Sequence, residues 1–163
     1  MDDEIYPLEG NILIVDDNLN NLNLLINILK ERGHRIRPVR DARLALSAIS
    51  KEAPDLVLLD IIMPEMDGYE FCEHLKEDES TKHIPVIFLS ALEEIVDKLR
   101  AFSVGGVDYI TKPFHYQEVM ARVETHLKLG YLEKMLAEKT ARLQQAENEN
   151  QDLKAQIDRM QKK

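Results

Sequence analysis

The chain has 163 residues, room for one ordinary domain and an extension. Its single cysteine, Cys72, excludes an internal disulfide and points to a cytoplasmic protein; the acidic start MDDEIYPLEG is no secretion signal, and no apolar run nears the length that crosses a membrane. Of the net charge of −9, residues 127–163 carry eight Lys/Arg and six Asp/Glu, leaving 13 Lys/Arg against 24 Asp/Glu before them, a balance that argues against nucleic acid as a direct ligand.

Residues 1–9 read as a short tail, after which apolar runs alternate with amphipathic stretches. The first run, Ile12–Val15, has the length and branching of a strand and ends on Asp16-Asp17. Leu19, Leu22, Ile26 and Leu29 then recur at helical spacing until Gly33 closes the helix. A second strand, Arg35–Val39, leads to a helix capped by Asp41 and ending near Lys51. The third run reads LVLLDIIMPEMDG over residues 56–68: four aliphatic residues, Asp60, then the turn residues Pro64 and Gly68. Such a run is buried on both faces of a parallel sheet, and Asp60 then sits at the strand's carboxyl end, where open α/β sheets place ligands. The plainer alternative is that Asp60 only hydrogen-bonds the turn.

A third helix is expected from about Tyr69 to Glu77, a strand over Val86–Leu89 followed by Ser90, and a fourth helix from about Leu92 to Val104, stopped by Gly105-Gly106. The fifth strand, Val107–Ile110, precedes Lys112-Pro113 and a fifth helix with Val119, Met120, Val123 and Leu127 on its apolar side. Strict strand–helix alternation implies right-handed crossovers and a parallel sheet covered on both faces, a doubly wound α/β domain over residues 10–128.

From Leu129 the period changes. Written as heptads, the a positions are Leu129, Leu136, Leu143, Asn150 and Ile157, and the d positions Leu132, Lys139, Ala146, Leu153 and Met160. One Asn at an a position fixes register in a two-stranded parallel coil, and the pairs Lys128–Glu133, Arg142–Glu147 and Glu149–Lys154 attract across such a coil. Residues 129–163 are therefore expected to form a homodimer through a parallel coiled coil, weakened in the middle by Lys139 and Ala146; a lone solvated helix is the alternative. With no proline after Pro113, and Gly130 at an outward b position, the fifth helix is expected to run unbroken into the coil.

Polar residues recur at equivalent places. Asp16, Asp17, Asp60, Ser90 and Lys112 each follow or end a strand, so a parallel sheet brings them to one edge. Taken singly, Asp16 or Asp17 caps the first helix, Ser90 caps the fourth and Lys112 is a surface lysine. Taken together, three carboxylates repel unless a cation joins them, and Mg²⁺, with Mn²⁺ as a substitute, takes oxygen ligands while keeping several waters. A metal and a lysine beside a further carboxylate oxygen suit phosphoryl transfer: Asp60 as nucleophile, Lys112 as cation, Ser90 as hydroxyl donor.

The set IVDD, LLDIIMPEMDG, FLSA and DYITKPF closely resembles the receiver domain of two-component response regulators over about residues 10–128. The resemblance implies a flavodoxin-like fold with strand order 2-1-3-4-5. It implies that Asp60 accepts a phosphoryl group from a phosphohistidine on a sensor histidine kinase or phosphotransfer protein. By the same match Asp17 and Asp60 bind Mg²⁺ directly, Asp16 helps, and the backbone carbonyl of Ile62 supplies another ligand. Ser90 and Tyr109 take the switch positions, and Lys112 precedes a commonly cis proline. Such a domain is a regulatory phosphoacceptor that catalyses only its own phosphotransfer and dephosphorylation.

In that family the Ser90 hydroxyl moves toward the phosphoryl group and Tyr109 turns inward behind it, remodelling the surface around the fourth helix, fifth strand and fifth helix. Two other readings predict different chemistry. A Mg²⁺-dependent aspartyl phosphohydrolase of the haloacid dehalogenase type carries Asp-x-Asp after its first strand, whereas this chain has Asp16-Asp17-Asn18. A dimeric scaffold that is never phosphorylated leaves Ser90, Tyr109 and Lys112 without a joint purpose. The heptads run open to Lys163 with no output domain in sight, which favours a fragment of a longer protein such as a cyclase, phosphatase or histidine kinase over the alternative, a stand-alone regulator whose partner reads the coil.

Overall fold

The computed structural model describes residues 9–91 and 95–163. Most of the expected N-terminal tail, residues 1–8, and the expected helix start at Leu92 lie outside the described residues. Among these, strands and helices alternate: β1 Asn11–Val15, α1 Leu19–Lys30, β2 Arg35–Val39, α2 Ala42–Lys51, β3 Leu56–Asp60, α3 Gly68–Glu77, β4 Val86–Ser90, α4 Ile95–Ser103, β5 Asp108–Thr111 and α5 Tyr116–Gln161. The sheet is parallel throughout in the order β2-β1-β3-β4-β5, the flavodoxin-like arrangement. β2 lies at an edge, where Pro38 can sit without breaking an interior ladder.

The apolar runs build two cores because successive side chains of a strand face opposite ways. Leu13 and Val15 of β1, Val57 and Leu59 of β3 and Val86 and Phe88 of β4 face one side, against Ala42, Ala45 and Ile49 of α2, Phe71, Cys72 and Leu75 of α3 and Ala101 of α4. Ile12, Ile14, Leu56, Leu58, Ile87 and Leu89 face the other, against Leu22, Leu25, Ile28 and Leu29 of α1 and Val119, Met120, Val123 and Leu127 of α5. Each such fully buried aliphatic side chain favours folding by about 1.5–3 kcal/mol over leaving it in water. β3 is buried at every residue, Asp60 included.

Local signals set the ends. Asp41 caps α2, its carboxylate accepting from the amides of Arg43 and Leu44. Asp67 and Glu70 form a reciprocal capping box at α3. The cap of α1 is Asn18, accepting from the amides of Asn20 and Asn21, and neither Asp16 nor Asp17 does this. The reason is that the β1 ladder runs on through Asp16, whose amide bonds Val39 O at 3.1 Å, so the chain leaves the sheet too late for either to cap. Gly33 adopts a φ of 81°, the left-handed conformation open to glycine after a helix. β5 begins at Asp108, one residue later than expected, because the Val107 amide bonds Val86 O as a lead-in and ladder partners start at Asp108 with Ile87.

The chain divides into two compact units, one ending at Gly130 and the other spanning Tyr131–Lys163. α5 belongs to both and is continuous through Gly130, where an added Cβ would meet nothing within 4 Å. Its apolar residues change character along its length. Val119, Met120, Val123 and Leu127 are buried, whereas Leu129, Leu132, Leu136, Leu143, Leu153, Ile157 and Met160 are exposed, Leu143 at 66%. Among the described residues, no helix is long and apolar enough to cross a membrane.

Candidate functional site

Parallel strands that end together put their last residues at one edge. Asp16 follows β1, Asp60 closes β3 opposite Leu89, Ser90 closes β4 opposite Thr111, and Lys112 follows β5 with its amide on Ser90 O at 2.8 Å. One carboxylate oxygen from each of Asp16, Asp17 and Asp60 lies within 4.8 Å of the others. Asp16 is fully buried, Asp60 is 5% exposed and Asp17 is half-buried. Lys112 Nζ stands 3.0 Å from Asp60 Oδ1 and 3.6 Å from Asp16 Oδ2. The sheet thus gathers all five residues singled out in the sequence at one edge, with Ser90 also buried.

Burial pushes the Asp60 carboxyl above its ordinary range; the hydrogen bond from Lys112 opposes this, and the charges of Asp16 and Asp17 add to the rise. One ammonium against three carboxylates leaves a local excess of negative charge. The donor set is all oxygen, and the half-buried Asp17 leaves a side open to water, so the residues fit a hard divalent cation such as Mg²⁺ or Mn²⁺. Ile62 lies two residues past Asp60, with its side chain 67% exposed.

The loop leaving Asp60 is shaped closely against the strand. A Cβ on Gly68 would run into the carbonyl oxygen of Asp60 and lie 2.9 Å from Ile61 Cα, so only glycine fits there. The Gly68 amide bonds Ile61 O at 2.8 Å. Between them Met66 N–H donates to Pro64 O at 2.9 Å around Glu65, whose φ is 68°. The Lys112–Pro113 peptide is cis.

Tyr109 pairs with Phe88 in the ladder, and Ser90 is two residues further along the same strand, so both belong to one face of the sheet. The Tyr109 ring is half-buried, edge-on to Phe102 with centroids 6.1 Å apart, with Lys98 Nζ 4.5 Å from its centroid. Arg122 of α5 lies on it as well, 5.6 Å from the centroid, and bonds Asp108 at 2.7 Å. His126 Nε2 is 3.0 Å from the other Asp108 oxygen. Burial would raise the Asp108 carboxyl, but the hydrogen bonds from His126, the Tyr109 amide and Arg122 outweigh it and hold it below its ordinary range.

Sequence reasoning missed three partners of the acids. Asn18 N–H donates to Asp16 Oδ1 at 2.9 Å, and the Asn21 side-chain amide donates to Asp16 Oδ2 at 3.1 Å. Arg40, just past β2, donates Nε and Nη2 to the main-chain oxygen of Asp17 at 3.2 and 3.1 Å. Asn18 was legible as an Asx residue directly ahead of a periodic apolar run. Arg40 carries no local signal, since it meets Asp17 only through the β1–β2 pairing.

The family described as response regulator receiver domain matches residues 12–124. The chain is similar to a “Probable cyclic di-GMP phosphodiesterase” of Vibrio cholerae, 42% identical over 72% of this chain and 26% of that protein. It is similar to the regulatory protein VanRc of Enterococcus gallinarum, 38% identical over 72% of this chain and 49% of that protein. Among solved structures it resembles the signal receiver domain of a signal transduction histidine kinase from Syntrophus aciditrophicus, with a TM-score of 0.68 and 39% identity over 73% of this chain and 90% of that one. The receiver domain of NtrX from Brucella abortus superposes with a TM-score of 0.68 at 33% identity, over 72% and 98% of the two chains. The chain spans between a quarter and a half of the length of these two curated relatives. With the sheet order, the acidic edge and the family match in agreement, the chain belongs to the response regulator receiver family of two-component signalling, a family of regulatory phosphoacceptors.

Proposed function

We propose that Asp60 is the phosphoacceptor of this receiver and takes its phosphoryl group from a phosphohistidine on a sensor histidine kinase or phosphotransfer protein. The observation that carries this reading is the Asp60 carboxylate itself: buried at the end of an interior strand, bonded by Lys112 at 3.0 Å and grouped with Asp16 and Asp17. A carboxylate oxygen of Asp60 attacks phosphorus, the phosphorus–nitrogen bond to the donor imidazole breaks, and its electron pair returns to that nitrogen, which takes up a proton. An acyl phosphate remains on Asp60. Lys112 is within reach of a phosphoryl oxygen held there and offsets its charge.

Asp16, Asp17, Asp60 and the backbone carbonyl of Ile62 would hold Mg²⁺, or Mn²⁺ in its place. The bound ion supplies positive charge beside the phosphoryl oxygens. Ser90 and Tyr109 serve as the switch pair: the hydroxyl meets the new acceptor oxygens, and Tyr109, two ladder positions back on the same face, follows it. The family assignment, the net charge of −9 and the single cysteine support a cytoplasmic signalling protein that does not bind nucleic acid through this chain.

Residues 129–163 then form a parallel homodimeric coiled coil that passes the signal from the receiver, residues 10–128, to an output domain or partner. Its support is the exposed seam of Leu129, Leu132, Leu136, Leu143, Leu153, Ile157 and Met160, with Asn150 set among them. Intact-mass analysis after incubation with acetyl phosphate is the test. A labile phosphoryl adduct is expected with Mg²⁺, absent when the metal is chelated and absent from Asp60→Asn. An adduct that persists in Asp60→Asn overturns the assignment. Cysteine cross-linking at Leu143, with and without the phosphoryl donor, checks transmission, and an unchanged pattern means the coil ignores the receiver.

A further inference from the structure

We propose that Arg40 is a positioning residue for Asp17, holding the backbone of the candidate cation ligand through its carbonyl oxygen. The inference rests on the reading of the acidic edge as a divalent-cation site. Asp17 is the one residue between two fixed points. Before it, Asp16 is tied by its amide to Val39 O at 3.1 Å and by its carboxylate to the Asn18 amide and the Asn21 side chain. After it, Asn18 is committed to capping α1 through the amides of Asn20 and Asn21.

No side-chain hydrogen bond reaches the Asp17 carboxylate among the described residues, so its direction is inherited from its own main chain. The main-chain oxygen of Asp17 accepts from Arg40 Nε at 3.2 Å and from Nη2 at 3.1 Å. Two donors of a rigid planar fork converging on one oxygen fix the plane of the peptide between Asp17 and Asn18. That plane sets the backbone torsion of Asp17 and hence where its Cβ points. Arg40 is itself placed by β2, because Val39, its neighbour, is the ladder partner of Val15 and accepts the Asp16 amide. The clamp therefore carries the position of an edge strand to a group at the acidic edge, across 23 residues of chain.

Among the described residues, the guanidinium makes no ion pair with a carboxylate. It bonds a neutral carbonyl, and a plain electrostatic role would run the other way, since a cation beside the site opposes a second cation. The two roles thus predict opposite signs. If Arg40 orients, its loss weakens Mg²⁺ binding; if it merely adds positive charge, its loss tightens it.

The experiment measures Mg²⁺ affinity of the full chain by calorimetry, without any phosphoryl donor, for the wild type, Arg40→Ala, Arg40→Gln and Arg40→Lys. The thermal midpoint of each is recorded in chelator. Arg40→Ala is expected to bind Mg²⁺ roughly tenfold more weakly, the low end for groups that support a metal ligand. Its midpoint without metal should stay near that of the wild type. Arg40→Lys, which keeps the charge but lacks the fork, is expected to recover only part of the affinity, and the deficit should persist when ionic strength is raised.

Unchanged or tighter binding in both Arg40→Ala and Arg40→Gln overturns the proposal, as does full recovery in Arg40→Lys. A wild-type chain that binds no Mg²⁺ overturns the cation site itself and the positioning role with it. Asp17→Asn separates these cases: it loses affinity whenever the site is real, whether or not Arg40 supports it.

Discussion

The unit that ends at Gly130 and the unit Tyr131–Lys163 both space apolar residues at regular intervals, yet they treat them in opposite ways. In the first, Leu58, Leu25 and Val123 reach 0% exposure, packed between strands and helices of the same chain. In the second, the large aliphatic residues at heptad positions remain exposed along their side of α5. The first unit closes two apolar cores of its own, with Leu44, Ile62 and Leu99 among the apolar residues left on its surface. The second presents an apolar stripe, interrupted at Lys139, Ala146 and Asn150, whose burial requires another surface, and a two-stranded coil is the arrangement its pattern fits.

A matched pair of truncations sharpens that contrast most strongly. Leu58→Ala is expected to lower the stability of the first unit by about 2–5 kcal/mol, read as a fall in the urea midpoint. Leu143→Ala should leave that transition in place and instead lower the protein concentration-dependent fraction of dimer in light scattering. A large loss of receiver stability in Leu143→Ala would break the comparison.

The next effect is one of specificity. Asn150→Leu removes the polar residue from the seam, so the melting of the helical tail should shift to higher temperature while species larger than dimers appear in sedimentation. A tail unaffected in both respects means that Asn150 faces water in solution.

The smallest effect lies in the first unit. His34 is buried, its Nδ1 accepts the Gly10 amide at 3.0 Å, and its Nε2 has no hydrogen-bond partner among the described residues. Burial pulls its pKa below the ordinary value of about 6.5, against the opposing charges of Glu124 and Glu9 and with that of Arg32. A folded-state pKa below the unfolded one means that the unfolded chain binds the proton first. The contribution of His34 to stability is therefore present above about pH 6.5 and lost as pH falls through the folded value. Urea midpoints should drop between pH 7.5 and 5.5, and His34→Asn, which keeps an acceptor for Gly10, should flatten the drop.

How much of this was legible in sequence follows the same division. Strand runs, the Asp41 cap and the unbroken course of α5 are written in neighbouring residues, so periodicity and turn chemistry reach them. The placement of Asp16, Asp17, Asp60, Ser90 and Lys112 was legible because each marks a strand end and parallel strands end together. Arg40 on Asp17, Asn21 on Asp16 and the Asp108–Arg122–His126 group were not. The first and last depend on which residues two separate elements bring face to face. Asn21 was hidden differently: its amide looks like one more polar residue in an Asn-rich first turn. The start of β5 slipped by one residue because Val107 is strand-like in chemistry but serves as a lead-in.

The interior placement of β3 bears on how a modification at Asp60 is felt. Ladder bonds to β1 and β4 on either side, and aliphatic packing above and below, make its amides candidates for the slowest deuterium exchange in the molecule. Asp60 is then a fixed benchmark. On the proposal that Asp60 is the phosphoacceptor, its new charge is expected to move the surrounding loops and leave the strand end in place.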